Sequence, residues 1–143
     1  MDLAAHLSRC PDIWRPAPPA TPEALSRLAE SAPIRLPKSY LDLLALSDGG
    51  EGDLRVEPGW ISLWPADKVL QYNAQYQVQT NAPGLIGFGS NGGGELLAFD
   101  SASGPPYSIV AIPFTPMEPK CATLVALTFD ALVAEIGTKL PAA

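Results

Sequence analysis

Asp48, Glu51, Asp53 and Glu57 fall within ten residues and are opposed only by Arg55, so half of the chain's net charge of −6 sits in this one stretch. Carboxylates at such density suggest two kinds of chemistry, hard-cation binding and acid–base hydrolysis. The spacing departs from that of a calcium loop, with glycine at the third position. Nothing in the flanking sequence supplies the apolar pocket that would raise one carboxylate's pKa above its neighbour's. A second pattern, Gly87-Phe88-Gly89-Ser90-Asn91-Gly92, has the spacing of a dinucleotide fingerprint. That fingerprint needs a helix behind its glycines, but Glu95-Leu96-Leu97-Ala98-Phe99 reads as a strand headed by a carboxylate that repels phosphate. Ser90 is not a hydrolase elbow, because the residue two before it is Phe88 and not glycine. His6 is the only histidine, four residues before Cys10, and two ligands do not complete a zinc site. The residues therefore point to no catalytic set, no metal and no cofactor.

Binding chemistry is better supplied. Nine basic against fifteen acidic residues argue against nucleic acid and anionic membranes and suit a basic protein partner. From Val69 to Pro119 there is no Lys or Arg at all. Trp60, Trp64, Tyr72 and Tyr76 lie close to the acidic stretch in sequence, and aromatics dominate interface hot spots. Trp64 and Tyr76 fall on apolar stripes and are expected in the core, which leaves Trp60 and Tyr72 for the surface. The partner-binding set expected from sequence is Asp48, Glu51, Asp53, Glu57, Trp60, Tyr72 and Glu95.

The elements that must position these residues can be read in chain order. With 143 residues, 47% of them apolar, the chain suits a single core. A first helix spans Leu3 to Ser8 and leads into a proline-rich arm over 11–20; helix and arm (1–21) pack on a domain formed by 22–143. Thr21-Pro22-Glu23 supplies cap, first-turn proline and first-turn acid for a second helix with Leu25, Leu28 and Ala29 as its buried stripe. Pro37 opens a third, in which Tyr40, Leu43, Leu44 and Ser47 recur at helical spacing before Asp48-Gly49-Gly50 stops it. The stretch from Asp48 to Glu57 reads as a loop. Trp60-Ile61-Ser62-Leu63-Trp64 alternates as a half-buried strand, and Pro65 opens a helix with Val69, Leu70, Asn73 and Tyr76 on one side. Leu85–Gly89 and Leu96–Asp100 flank a glycine turn and form a hairpin. Left-handed turn residues are required there, so replacing Gly93 by Val is expected to lower stability. Strands at Tyr107–Ile112 and Leu124–Ala126 precede a last helix, capped by Thr128, carrying Phe129, Leu132, Val133 and Ile136, and closed by Gly137. Turns too short for parallel crossovers indicate an α+β domain.

Taken in order, these segments resemble the SUKH superfamily, in the branch typified by fungal cell-wall-assembly regulators and bacterial immunity proteins (SMI/KNR-type domains). The matching pieces are Leu36-Pro37-x-x-Tyr40 with Leu43 and Leu44, Asp48-Gly49-Gly50, Ile61-Ser62-Leu63-Trp64 with Val69-Leu70-x-x-Asn73, Leu85-Ile86-Gly87-Phe88-Gly89 with Glu95, and Thr128-Phe129-Asp130-Ala131-Leu132. The resemblance spans roughly residues 22 to 137. It implies a mixed, mainly antiparallel sheet with helices packed around it and no catalytic residues to carry over. For bacterial members it implies neutralisation of a cognate toxin by direct binding, and for fungal members a regulatory scaffold. The expectation is a cytoplasmic, non-catalytic immunity protein whose toxin is basic. A regulatory interaction module without a toxin partner is the alternative, and a small hydrolase or nucleotide binder is the third class. No basic leader or membrane-length apolar run is present, and Cys10 and Cys121 are expected as reduced thiols.

Overall fold

A computed structural model describes residues 3–8 and 14–137 of the chain. Cys10 and the start of the proline-rich arm lie outside the described residues. Thirteen α-helices and strands succeed one another: α1 (Leu3–Ser8), β1 (Trp14–Arg15), α2 (Pro22–Ser31), α3 (Lys38–Leu46), β2 (Gly50–Asp53), β3 (Trp60–Leu63), α4 (Val69–Gln75), α5 (Val78–Asn81), β4 (Leu85–Ser90), β5 (Glu95–Asp100), β6 (Ser108–Pro113), β7 (Thr123–Ala126) and α6 (Phe129–Ala134). The strands form one seven-stranded sheet whose order is the chain order, β1 to β7. This is an α+β architecture with helices around a sheet. Every strand pairing among the described residues is antiparallel, so no parallel pair makes the sheet mixed.

Local chemistry explains most boundaries. The Thr21 hydroxyl accepts the Ala24 N–H and Thr128 accepts the Ala131 N–H, each satisfying a first-turn donor. The α2 stripe is Ala24 and Leu28 with Leu25 at its margin; Ala29 is exposed, because the buried face is turned toward Ala24 from where the sequence pattern suggests. Tyr40, Leu43 and Leu44 are fully buried, as are Phe129 and Leu132 of α6, and all five belong to one core. Tyr40, Phe88, Phe99 and Phe129 form its aromatic centre, with Tyr40–Phe99 and Tyr40–Phe129 edge-to-face at 5.2 and 5.3 Å. The Tyr40 hydroxyl and the Trp14 indole N–H are buried with no hydrogen-bond partner among the described residues.

The stretch read as an acidic loop contains a strand. β2 runs between β1 and β3, with Glu51 opposite Ser62 and Asp53 opposite Trp60. Glycine is essential here: a Cβ on Gly50, which has φ +103°, would stand 2.8 Å from the Arg15 carbonyl and 2.9 Å from the Trp14 ring. Pro65 opens a turn, and α4 begins only at Val69. The next break falls at Gln77, a left-handed residue with φ 54°, which ends the α4 stripe and starts α5.

Two polar clamps hold the sheet's surroundings. The buried Asn73 amide donates to the carbonyls of Val69 (2.7 Å) and Gly87 (2.8 Å), and its oxygen accepts the Gly87 N–H (2.8 Å) and the Gln79 side chain (3.0 Å). The β3–β4 ladder pairs only Ser62 with Ser90 and Leu63 with Gly89, so the Asn73 side chain serves Gly87 in place of a strand. At the other end of the chain, the Gly137 N–H donates to the Asp53 carbonyl and the Arg55 N–H to the Glu135 carbonyl, while Leu54 and Ile136 form a β-bridge. The chain leaving α6 thus fixes the start of the β2–β3 connection.

Candidate partner-binding face

Seven residues stand out in the sequence as partner contacts, and the fold divides them. Asp48 is committed to structure: its carboxylate accepts the Ala66 N–H at 2.7 Å and closes the turn before α4. Glu51 lies mid-strand on β2, and its carboxylate is 3.7 Å from the Arg15 guanidinium of the paired edge strand. Both therefore have local partners.

The other carboxylates gather at one end of the sheet. Asp53 ends β2 opposite Trp60, and the exposed Glu57 stands in the connection between them. That connection is held by Leu54 N–H to the Gly59 carbonyl (3.0 Å) and Gly59 N–H to the Val56 carbonyl (2.8 Å). Trp60 lies against the β4–β5 turn, since a Cβ on Gly92 would be 2.9 Å from its ring. The same turn is locked by Asn91 and Glu95. The Asn91 oxygen accepts the N–H groups of Gly93 and Glu95, and its amide donates to the Glu95 carboxylate at 3.3 Å. Only Gly92 of the turn glycines has a positive φ, +78°; Gly93 has space around it, so the demand for glycine falls on Gly92 and not on Gly93.

The rim continues from the turn into an aromatic group. The Phe114 N–H donates to the Gly94 carbonyl (2.9 Å), and the Phe114 ring is 4.7 Å from that of Tyr76. Tyr76 stacks on Trp64 at 6.1 Å, and Tyr72 meets Trp64 edge-on at 5.1 Å. Trp64 is buried as expected, but Tyr76 is 46% exposed and is corrected from core to surface. Tyr76 caps the C-terminal end of α4, beyond the buried Val69 and Asn73, and its ring lies against Trp64 and Phe114. Tyr72 is half-buried. The face that emerges runs Glu57, Asp53, Trp60, the Asn91–Glu95 turn, Phe114, Tyr76. Sequence reasoning missed three of its members. Asn91 was detectable as the polar residue heading a glycine turn, whereas Phe114 and Tyr76 are joined only by tertiary packing.

The side chains that the sequence offers for chemistry have local structural partners. Ser90 ends β4, and its hydroxyl accepts the Gly92 N–H of the turn at 3.1 Å, while His6 Nε2 lies 3.1 Å from the Ile136 carbonyl. Gly89 lies within β4, where a Cβ would meet the Ser62 carbonyl oxygen at 2.5 Å, so close strand approach explains a glycine of the fingerprint pattern. Among the described residues, no group of three His, Cys, Asp or Glu side chains could hold a metal ion, and no helix is long and apolar enough to cross a membrane.

An antiparallel meander, with an aromatic core shared by Tyr40 of α3, Phe88 and Phe99 of the sheet and Phe129 of α6, defines an α+β domain. The sequence pattern of the SMI1 / KNR4 family (SUKH-1) matches residues 19–135. The chain belongs to this family. No curated protein matches it.

Proposed function

We propose that this domain is a non-catalytic protein-binding module, an immunity protein that neutralises a cognate basic toxin by direct contact with the rim. The observation that carries the reading is the arrangement at Trp60: Asp53 opposite it, Glu57 in the connection before it and the Glu95-bearing turn against its ring, on turns tied by backbone hydrogen bonds. Binding residues on loops held by a rigid sheet bind without a large ordering cost. Carboxylates around an aromatic centre match the anatomy of an interface for a cationic partner, in which charge governs encounter and the aromatics supply affinity. Membership of the SUKH-1 family supports a protein partner of this kind.

The test is a search of the neighbouring reading frames for a basic toxin, co-expression with that toxin, and association kinetics of the purified pair. Asp53→Lys with Glu57→Lys slows association and flattens its salt dependence, because exposed charges act mainly on encounter. Trp60→Ala speeds dissociation. Full protection by both variants, with association unchanged across a salt series, would move the interface off this rim.

A further inference from the structure

The chain leaving α6 is tied on both of its sides. Toward β2, the Gly137 N–H donates to the Asp53 carbonyl (2.8 Å) and the Arg55 N–H to the Glu135 carbonyl (2.9 Å), so the two bonds flank the Leu54–Ile136 bridge. An antiparallel pair placed between two such bonds uses neither its own N–H nor its own C=O across the ladder. The Ile136 carbonyl therefore faces away from Leu54, and from that side it is met at 3.1 Å by His6 Nε2 of α1, 130 residues away in sequence. A carbonyl oxygen only accepts, so Nε2 carries the hydrogen. Ile136 is 1% exposed, which keeps water from taking the place of this donor. Leu3, His6 and Leu7 share one face of α1 at spacings of three and four, and the two leucines pack, partly buried, against the core.

We propose that α1 is a strap that keeps the partner-binding rim in order, with His6 as its positioning residue. The path is contiguous. His6 fixes the Ile136 carbonyl, Glu135 and Gly137 fix Arg55 and Asp53, and the Leu54 N–H donates to the Gly59 carbonyl (3.0 Å) directly before Trp60. Asp53 and Trp60 are paired at the base of this connection, and Glu57 stands within it. When α1 lifts off, the Ile136 carbonyl loses its donor and the bridge loosens, so Asp53, Glu57 and the approach to Trp60 gain freedom. α1 is suited to lift: six residues are too few for a helix to persist alone, and partly buried leucines hold it where fully buried side chains hold α3 and α6. The coupling is reciprocal, so a partner that fixes the rim also holds α1 down. The inference rests on the rim being the contact surface, and it adds a point of control away from the contacts themselves.

Amide hydrogen exchange of the full chain, followed residue by residue by NMR, tests the strap with no partner present, so its result is independent of what the rim binds. In His6→Ala the amides of Arg55 and Gly137, which donate across the bridge, and of Leu54, which closes the connection, exchange about tenfold faster, while those of the β5–β6 ladder keep their rates. His6→Gln restores protection, because its amide nitrogen takes the place of Nε2 as donor. Leu7→Asp, which undocks α1 by placing a charge on its apolar face, gives at least the same rise at the same three amides. Unchanged exchange at Leu54, Arg55 and Gly137 in either His6→Ala or Leu7→Asp, an equal rise in the β5–β6 ladder, or a His6→Gln variant no better protected than His6→Ala would overturn the proposal.

Discussion

Asn73 is the residue whose loss is expected to matter most for its size. Its side chain is 3% exposed and makes four hydrogen bonds, two of them to the N–H and C=O of Gly87, which is itself buried. Truncation in Asn73→Ala leaves both Gly87 groups buried and unpaired. At about 1–3 kcal/mol for each orphaned group, the cost is about 2–6 kcal/mol, a large share of the ~5–15 kcal/mol that stabilises a domain. With a urea slope near 2 kcal/mol/M, a loss of about 4 kcal/mol lowers the unfolding midpoint by about 2 M. Asn73→Asp gives a sharper test because its effect depends on pH. The carboxylate keeps the acceptor for Gly87 N–H but faces the Val69 and Gly87 carbonyl oxygens, to which the amide donated at 2.7 and 2.8 Å. Burial and those oxygens raise its folded pKa above the unfolded value of about 3.9, so its stability is greatest below that value and is lost as pH rises. Relative to the parent protein, Asn73→Asp is therefore less stable at pH 7 than at pH 4. A midpoint for Asn73→Ala within about 0.3 M of the parent, or a relative stability of Asn73→Asp that ignores pH, would refute the clamp.

Three further perturbations probe the core and the turns. Burial, with the nearby Asp48 charge as a smaller cause, raises the Tyr40 phenol above its ordinary value, so stability falls above about pH 10 at up to ~1.4 kcal/mol per pH unit; Tyr40→Phe flattens that limb in alkaline denaturation curves and costs little at pH 7, since the hydroxyl has no described partner. Leu44→Ala removes a fully buried side chain and lowers stability by about 2–5 kcal/mol in urea titration; an unmoved midpoint would take α3 out of the core. Gly92→Val meets the Trp60 ring with φ +78° and destabilises, whereas Gly93→Val is tolerated, and equal melting temperatures for the two would contradict the turn geometry.

Elements with their own start and stop chemistry were legible from sequence. Thr21 and Thr128 announce α2 and α6, the glycine turn announces the β4–β5 hairpin, and the alternation of Ile61 with Leu63 announces β3. Tertiary contact decides the elements that escaped. β2 reads Gly-Glu-Gly-Asp, a sequence with low strand propensity, and becomes a strand because β1 and β3 pair with it on its two sides, with β1 approaching closely enough to exclude a side chain at Gly50. The site divided for the same reason. Charge density marked 48–57 as one patch, but strand geometry sends Asp48 to the turn before α4, pairs Glu51 with Arg15, and leaves Asp53 and Glu57 at the rim. Tyr76 obeys helical spacing up to a break at Gln77 that no glycine or proline signals.

The tie between Gly137 and Asp53 gives the domain an order of assembly. Each strand of the sheet pairs with its neighbour in sequence, the widest pairing joining Trp14 to Gly52, so every pairing can form before the C-terminal part of the chain has been made. The tie spans more than eighty residues and must close a loop of that size, and it cannot form before Gly137 has been made. Asp53 and the first residues of the β2–β3 connection are therefore among the earliest parts of the rim to be synthesised and the last to be fixed. During synthesis the core of the meander precedes this tie, and the β2–β3 connection is held in place only once Gly137 has been made.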